Sequence, residues 1–420
     1  MKLRLDTSKA YAIALEGGGA KGAYEVGVWR ALDEAGVRFD AVAGTSVGAL
    51  NGAMMVMGEL EQALRLWENI RFSQVFDADD EQLKKLYDHK LSEVDFRTLF
   101  KDVMEAIHEG GLDIEPFRRL IAEWVDEEKI RSSPKKLFLV TYSLTDKREL
   151  DMDADELEEG KLRDMLLASA YVPLFQRKKL DGKDYVDGSV HNIVPISSLL
   201  ERGYRDIIVI RIFGVGFEKR TQIPEDANII TVAPRERLGG VLQFDAAQSR
   251  RLLQLGYFDG LRMLYGLAGE KYYIDRQWSE TEAYFALQEL CRLFIKEETP
   301  SLRALNETIL PKLAKHLKVK DGGYYDLLTA LLERLAERQG ISPFRVRTEE
   351  MLLLEIAAKM KKNRKYNYEG NSFLKYLKYE VISFFGKDFP DTVISYRRKF
   401  FSEIFKIRSV FLFSEKIFRI

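Results

Sequence analysis

The chain is poor in cysteine and in long apolar runs. Its single cysteine among 420 residues, Cys291, excludes an internal disulfide framework and fits a reducing compartment. No stretch approaches the roughly 18 consecutive apolar residues that a membrane-spanning helix needs. The apolar segment YAIAL, residues 11–15, is also too short for the core of a secretory signal. We therefore expect a cytoplasmic globular protein.

Charge is distributed unevenly along the chain. Residues 359–420 carry 15 Lys and Arg against 6 Asp and Glu, whereas the rest of the chain carries 50 against 60. The net charge of the whole chain, −1, conceals this difference. Such a split favours an anionic surface as the partner of the C-terminal end.

The N-terminal part alternates strand-like and helix-like segments. Residues 10–15 have the continuous apolar character of a buried strand, a glycine loop follows, and AYEVGVWRALDEAG has the apolar face of a helix that Gly36 ends. A second strand, FDAVAG, leads into TSVGALNGAMMVMG, which is typical of a buried helix. This order predicts the α/β class, with a mostly parallel sheet flanked by helices.

Further segments complete a body that ends near residue 268. Residues 270–420 have helical patterns and no convincing strand, so the sequence predicts an α/β domain over 1–268 and an α-helical domain over 269–420. Within the body we expect strands at KKLFLVTYSLT (135–145), YRDIIVIRIFG (204–214) and NIITVAP (228–234), a helix at LRDMLLASAYVPLF that Pro173 ends, and a hairpin at KLDGKDYVDGS around Asp181-Gly182.

The glycine loop GGGAKG, residues 17–22, satisfies G-x-G-x-x-G between a strand and a helix. A dinucleotide fingerprint would need an acidic residue at the end of the second strand, but Asp40 lies at that strand's start. A Walker A loop would need a following Gly-Lys-Ser/Thr, which is absent. Two interpretations stay open, a structural turn and a set of backbone N–H donors for a transient negative charge.

A second loop favours the donor interpretation. Residues 44–48, GTSVG, form G-x-S-x-G between a strand and a buried helix, where a sharp turn presents Ser46 at the positive end of the helix. Gly44 and Gly48 are expected there because side chains would collide in so tight a turn. The two loops would lie at the carboxyl ends of neighbouring strands, so the glycine-loop amides can act as an oxyanion hole.

A base must then accept the Ser46 proton. Three histidines lie in segments that resemble solvated helices, and His191, four residues after Asp187, is the remaining histidine candidate. Asp187 follows a strand-like segment and precedes a glycine, and burial can raise its pKa enough for it to act as a base. The spacing alone leaves a plain turn equally open, as at Asp181-Gly182. The three disfavoured histidines are His89, His108 and His316.

Four blocks of the sequence together resemble the patatin-like phospholipase family in its bacterial form. They span roughly residues 10–215 and occur in the expected order: EGGGAKGAYEVGVWRALDEAG, FDAVAGTSVGALNGA, LLASAYVPLF and YVDGSVHNIVP. The resemblance implies a three-layer α/β/α fold and a Ser-Asp dyad that works without histidine.

The resemblance also implies roles for individual residues. Ser46 would be the nucleophile and Asp187 the base. One departure is Ser189, where the family generally has Gly or Ala after Asp-Gly; we expect it to add a hydrogen bond that shifts the pKa of the aspartate. The oxyanion hole would be the amides of Gly17, Gly18 and Gly19, and the motif-supporting residues would be Lys21, at the family's usual basic position, with Gly22, Gly44, Gly48 and Gly188.

The implied activity is that of a serine acyl hydrolase of the phospholipase A or lysophospholipase type, which cleaves fatty acyl esters of membrane lipids through an acyl-enzyme. The alternative is a non-catalytic lipid-binding or regulatory protein on the same scaffold, and the presence of both Ser46 and Asp187 favours the enzyme. The sequence has no calcium loop and no clustered zinc ligands, so we expect neither a metal nor a cofactor.

The last segment, residues 396–420, has helical spacing of apolar residues among cations. Packing on the protein's own core or on a second subunit would explain this pattern, and so would an interfacial helix that holds the protein peripherally on the inner face of an anionic membrane. No nucleic-acid reader module is present, so we expect no nucleic-acid partner. The apolar stripe is Phe400, Ile404, Ile407, Phe411 and Phe418.

Overall fold

The computed structural model describes residues 1–76, 111–294, 302–320 and 322–362. The expectations for His89, His108 and the 396–420 helix lie outside these residues. The chain divides into two compact units, Met1–Leu267 and Ala268–Ile420, which are described separately below. Among the described helices, none combines the length and the apolar character required to cross a bilayer.

One mixed sheet organises the described part of the first unit. Its seven strands are β1 (Ala10–Leu15), β2 (Arg38–Thr45), β3 (Lys136–Ser143), β4 (Arg148–Asp153), β5 (Tyr185–Asp187), β6 (Asp206–Ile210) and β7 (Asn228–Val232). The strand order is β4-β3-β2-β1-β6-β7, and β5 pairs with β3. All pairs are parallel except β3–β4 and β3–β5. The predicted, mostly parallel sheet is therefore confirmed.

Helices cover both faces of this sheet because both faces are apolar. Ala12 and Ala14 pack on one side with Leu199, whereas a Cβ on Gly48 would touch Leu15 on the other side. The layered α/β/α arrangement is confirmed. The helices are α1 (Ala23–Glu34), α2 (Val47–Met57), α3 (Leu60–Asn69), α4 (Glu115–Trp124), α5 (Glu127–Ser132), α6 (Leu162–Ser169), α7 (Ile196–Glu201) and α8 (Ala246–Tyr265).

Two expectations about the elements were wrong in detail, and one strand was missed. The strand expected over 204–214 covers only Asp206–Ile210, because the amides of residues 212–214 bond to the Glu16 carboxylate rather than to a strand. The helix expected to reach Pro173 ends at Ser169, and Tyr171 O instead accepts the Asp187 amide. Strand β4 was not predicted, since its sequence RELDMD is half-buried and lacks an apolar run.

The described part of the second unit is mainly helical around an apolar core that includes Tyr325, Leu328 and Leu332. The expectation that it contains no strand was wrong, since β8 (Tyr273–Ile274) and β9 (Val346–Arg347) form a short parallel pair. Two-residue strands leave no period in a sequence. The helices are α9 (Glu280–Phe294), α10 (Leu302–Ala304), α11 (Leu310–Leu317), α12 (Tyr324–Arg338) and α13 (Glu349–Lys362), with a π-helical turn at Leu305–Ile309.

Candidate active site

Ser46 lies in a strained turn between β2 and α2. Its backbone has φ 57° and ψ −126°, a conformation that costs a non-glycine residue of order 1–3 kcal/mol and that clusters at functional sites. The Ser46 N–H donates to Ser169 Oγ at 2.9 Å, and the Ser169 hydroxyl donates to Val140 O at 2.6 Å. The end of α6 thus holds the turn in place.

Glycines make this turn possible because backbone passes close to backbone. A Cβ on Gly44 would lie against the backbone of Gly48, and a Cβ on Gly48 would lie 2.6 Å from Leu15 O. The two other supporting glycines also sit in tight contacts. A Cβ on Gly22 would meet Val47 at 2.5 Å, and one on Gly188 would meet the Val140 carbonyl.

The sheet brings Asp187 to Ser46. Strand β2 ends at Thr45 opposite Val140, and β5 ends at Asp187 opposite Thr141, the next residue of β3. Since β5 is antiparallel to β3, the two strands meet end to end along one edge of β3. Ser46 Oγ donates a hydrogen bond of 2.6 Å to Asp187 Oδ2.

Burial dominates the electrostatics of Asp187. The residue is 5% exposed, and this burial raises the pKa of its carboxyl above the ordinary value of 3.8. Three hydrogen bonds oppose that shift by stabilising the carboxylate, one from Ser46, one from the Ser189 amide to Oδ1 at 2.8 Å and one from the Ser189 side chain. Together these hydrogen bonds lower the pKa less than burial raises it.

The three glycines predicted as an oxyanion hole are not equivalent. The Gly17 N–H already donates to Ile193 O at 2.9 Å, so Gly17 is not available as a donor and this part of the expectation needs correction. Within the described residues, no hydrogen bond occupies the amides of Gly18 or Gly19. Gly19 has φ 57° and lines the same cavity as Ser46.

Lys21 and Glu16 attach the glycine loop to the segment after β6. Lys21 is buried, which lowers the pKa of its amine, and its Nζ donates to Phe213 O. Sequence reasoning missed Glu16, a buried carboxylate whose Oε2 accepts the amides of Ile212 at 2.7 Å and Phe213 at 3.0 Å. An acidic residue at the end of an otherwise apolar strand was the available signal.

His191 lies away from the Ser46–Asp187 contact. Its Nδ1 pairs with Glu149, its ring stacks on Tyr142 at 5.9 Å, and its side chain is 43% exposed. The structure therefore brings together Ser46 and Asp187 and leaves His191 in another network. His316 belongs to α11 in the second unit.

An apolar cavity opens beside Ser46. It encloses about 800 Å³ of empty space, including its mouth. Three wall residues carry polar side-chain groups besides Ser46, namely Asn51, Trp67 and Trp124. The remaining lining residues are Gly19, Val47, Leu50, Met54, Leu66, Ile70, Val75, Phe76, Phe117, Leu120, Ile121, Val125, Ala170, Val172, Phe175, Val241, Leu242 and Phe244.

A polar chain that the sequence did not indicate supports this wall. The Trp67 indole N–H donates to Asn51 Oδ1 at 3.0 Å, and Asn51 Nδ2 donates to Glu25 Oε2 at 2.7 Å. Burial raises the pKa of the Glu25 carboxyl well above its ordinary range. No group of three or more His, Cys, Asp or Glu residues that could hold a metal ion occurs among the described residues.

Known proteins resemble this chain in its first unit. The family model of patatin-like phospholipases matches residues 13–200. A segment of 51 residues, 12% of the chain, is 51% identical to "Patatin-like phospholipase domain-containing protein 7" of Mus musculus and covers 4% of that protein. A segment of 46 residues, 11% of the chain, is 50% identical to "Lysophospholipase nte1" of Aspergillus terreus and covers 3% of it. The matched segments thus span a small part of these relatives.

Among solved structures, VipD from Legionella pneumophila aligns with 92% of this chain and 93% of its own, at a TM-score of 0.38 and 15% identity. The family model, rather than this alignment, carries the assignment of residues 13–200, and it confirms the resemblance seen in the four sequence blocks. Residues 13–200 thus match the family of patatin-like phospholipases.

Proposed function

We propose that the chain is a serine acyl hydrolase of the phospholipase A or lysophospholipase type, which cleaves fatty acyl esters of membrane lipids. The observation that carries this proposal is the 2.6 Å hydrogen bond from Ser46 Oγ to the buried Asp187, formed at a strained turn on the wall of an apolar cavity. Both residues lie inside the 13–200 family match, which supports the same chemistry.

In the first step, Ser46 Oγ attacks the ester carbonyl carbon while its proton passes to Asp187 Oδ2. The carbonyl oxygen becomes an oxyanion, and we assign the amides of Gly18 and Gly19 as its donors. Such a donor is typically worth about 3 kcal/mol of barrier. Gly17 is left out because its N–H is bonded to Ile193.

Collapse of the tetrahedral intermediate breaks the ester C–O bond, and the leaving alkoxide takes the proton from Asp187. The acyl group remains on Ser46. A water molecule then attacks the acyl-enzyme as Asp187 accepts its proton, and the second collapse returns that proton to Ser46 and releases the fatty acid. The raised pKa of Asp187, caused by burial, strengthens it as a base for both steps.

The cavity supports a lipid acyl chain as the group transferred. Its walls are almost entirely aliphatic and aromatic, so an apolar chain would be stabilised there by leaving water. We assign the hydrolase to residues 1–268. The region 269–420, for which the sequence predicts helices, has its basic end at 396–420 and is the proposed place for self-association or peripheral attachment to an anionic membrane in a cytoplasmic protein.

A fluorophosphonate probe, which forms a covalent bond to activated serines, tests the proposal directly. We expect the wild type to be labelled and Ser46→Ala not to be, whereas Ser249→Ala, which removes a buried serine of α8, is labelled normally. The wild type should also release fatty acid and lysophospholipid from mixed phospholipids. Folded protein that takes no label and releases no fatty acid would leave the non-catalytic lipid-binding alternative.

A further inference from the structure

The segment after β6 exposes apolar side chains beside the candidate site. Phe213, Val215 and Phe217 are 53%, 60% and 60% exposed, and Val190, just after the Asp187 turn, is 48% exposed. We call these four side chains the apolar rim. In the described part of the first unit, the other large apolar side chains that are exposed are those of Met1 and Ile223. Exposure is thus concentrated at one place rather than scattered.

The residues between the rim side chains are glycines that touch the walls of the site. A Cβ on Gly214 would collide with the Gly17 carbonyl, and a Cβ on Gly216 would lie 2.5 Å from Ser189 O. The sequence F-G-V-G-F, residues 213–217, therefore places its glycines against the two loops that frame Ser46 and Asp187. Its apolar side chains are left in solvent.

Hydrogen bonds hold this segment in its exposed position. Besides the Glu16 contacts described above, the Phe217 amide donates to Ser189 O at 2.7 Å, and Phe217 O accepts the Ile193 amide at 2.8 Å. Phe213 has φ 48°, a conformation that is rare for a bulky residue and costs free energy. These hydrogen bonds therefore hold the apolar rim in solvent, although apolar side chains are more stable when they are buried.

Cations flank the rim. Residues 211–220 contain three cations, of which Arg211 pairs with Glu16 and Glu218 and Lys219 pairs with Glu149. Arg211 lies over the Phe213 ring at 5.6 Å, and Arg220 is exposed. Aromatic and aliphatic side chains beside the exposed Arg220 suit the boundary of an anionic bilayer, where the apolar groups enter the acyl region and the guanidinium meets phosphates.

We propose that the apolar rim docks this protein on an anionic phospholipid bilayer. The inference rests on the proposed function, since the substrate of a phospholipase lies in such a bilayer. The apolar rim borders both the glycine loop and the Asp187 turn. Docking through the rim would therefore bring Ser46 and Asp187 to the bilayer surface, where the ester substrate lies. It acts independently of the basic segment 396–420.

Vesicle co-sedimentation of the full chain tests this docking. Val215→Ser/Phe217→Ser should raise the apparent Kd for vesicles of equal parts phosphatidylcholine and phosphatidylglycerol by about tenfold or more. Phe285→Ser, which removes a phenylalanine of 56% exposure on α9, is the matched control and should bind like the wild type. Hydrolysis of a soluble short-chain ester should persist in both variants, because the rim side chains touch no reacting atom.

A local readout separates the rim from the rest of the chain. In Phe217→Trp, brominated phospholipids should quench the added indole more than they quench the four native tryptophans of the wild type. Unchanged vesicle binding of the double variant, or no added quenching, overturns the proposal. It is also overturned if the wild type binds no vesicles and the double variant instead loses a dimer that the wild type forms. If the rim binds vesicles but the wild type hydrolyses no ester, the hydrolase proposal fails and the docking proposal stands.

Discussion

Two Asp-Gly turns, six residues apart, have opposite surroundings in this protein. The Asp181 side chain is 60% exposed and pairs with Lys161 at 2.7 Å. Asp187 is 5% exposed and accepts hydrogen bonds from Ser46 at 2.6 Å and from the Ser189 amide at 2.8 Å. The same dipeptide thus produces a surface turn in one place and a buried carboxylate in the other.

The difference arises because a strand of the sheet leads into Asp187, whereas no strand among the described residues leads into Asp181. Asp181-Gly182 closes a tight turn in which Leu180 and Lys183 exchange two hydrogen bonds of 3.0 Å, so the predicted hairpin turn is confirmed. Asp187 ends a strand on the edge of β3, where the sheet and the turn after β2 remove water from it. A turn becomes a candidate site through its neighbours in space.

The largest difference between the two turns should appear in activity. Asp187→Asn should lower kcat for ester hydrolysis by about 10²–10⁴-fold, because an amide cannot accept the Ser46 proton. Asp181→Asn should leave kcat unchanged, since its carboxylate makes only an exposed ion pair. Steady-state kinetics on a short-chain ester measures both, and equal losses would remove the distinction between the turns.

The hydrogen bonds that hold the backbone near the two turns should also differ in their effect on catalysis. Ser169→Ala removes the acceptor of the Ser46 amide and should lower kcat by about fivefold with little change in KM, as expected for a hydrogen bond worth about 1 kcal/mol. Thr145→Ala removes the exposed acceptor of the Asp184 amide near the other turn and should change neither constant. A raised KM with unchanged kcat in Ser169→Ala would contradict a role in positioning Ser46.

The contribution of Asp187 to stability should depend on pH. Burial raises the folded-state pKa of Asp187 above its ordinary value of 3.8. The contribution of Asp187 to the free energy of unfolding is therefore favourable at low pH and is lost as the pH rises through the folded-state pKa. Asp187→Asn should therefore raise the free energy of unfolding at neutral pH, with a gain that shrinks on acidification. Asp181→Asn should cost about 1 kcal/mol or less. Urea unfolding across pH measures both, and a less stable Asp187→Asn at neutral pH would reject the burial argument.

The smallest effect is expected at His191. Because its Nδ1 pairs with Glu149, His191→Ala should leave kcat nearly unchanged, far from the loss of about 10²-fold or more expected for a catalytic base. The pH profile of kcat/KM gives a second readout, which should keep its acidic limb in this variant. A large loss would make Asp187 the partner of a histidine.

Features that depend on neighbours along the chain were predicted well. Strand β1, the glycine loop, α1 and the Ser46 turn follow from an apolar run, from glycines and from helical periodicity, all of which are local patterns. Strand β4 and the β8–β9 pair were missed because half-buried or two-residue strands carry no such pattern.

The sequence by itself determined the strained serine turn and its glycine supports, because backbone sterics act between adjacent residues. Only the tertiary structure decided which carboxyl group meets Ser46, that Ile193 occupies the Gly17 amide, and that Glu16 anchors the segment bearing the apolar rim. Those outcomes depend on which groups the folded sheet brings together and removes from water, and desolvation is a property of three-dimensional packing.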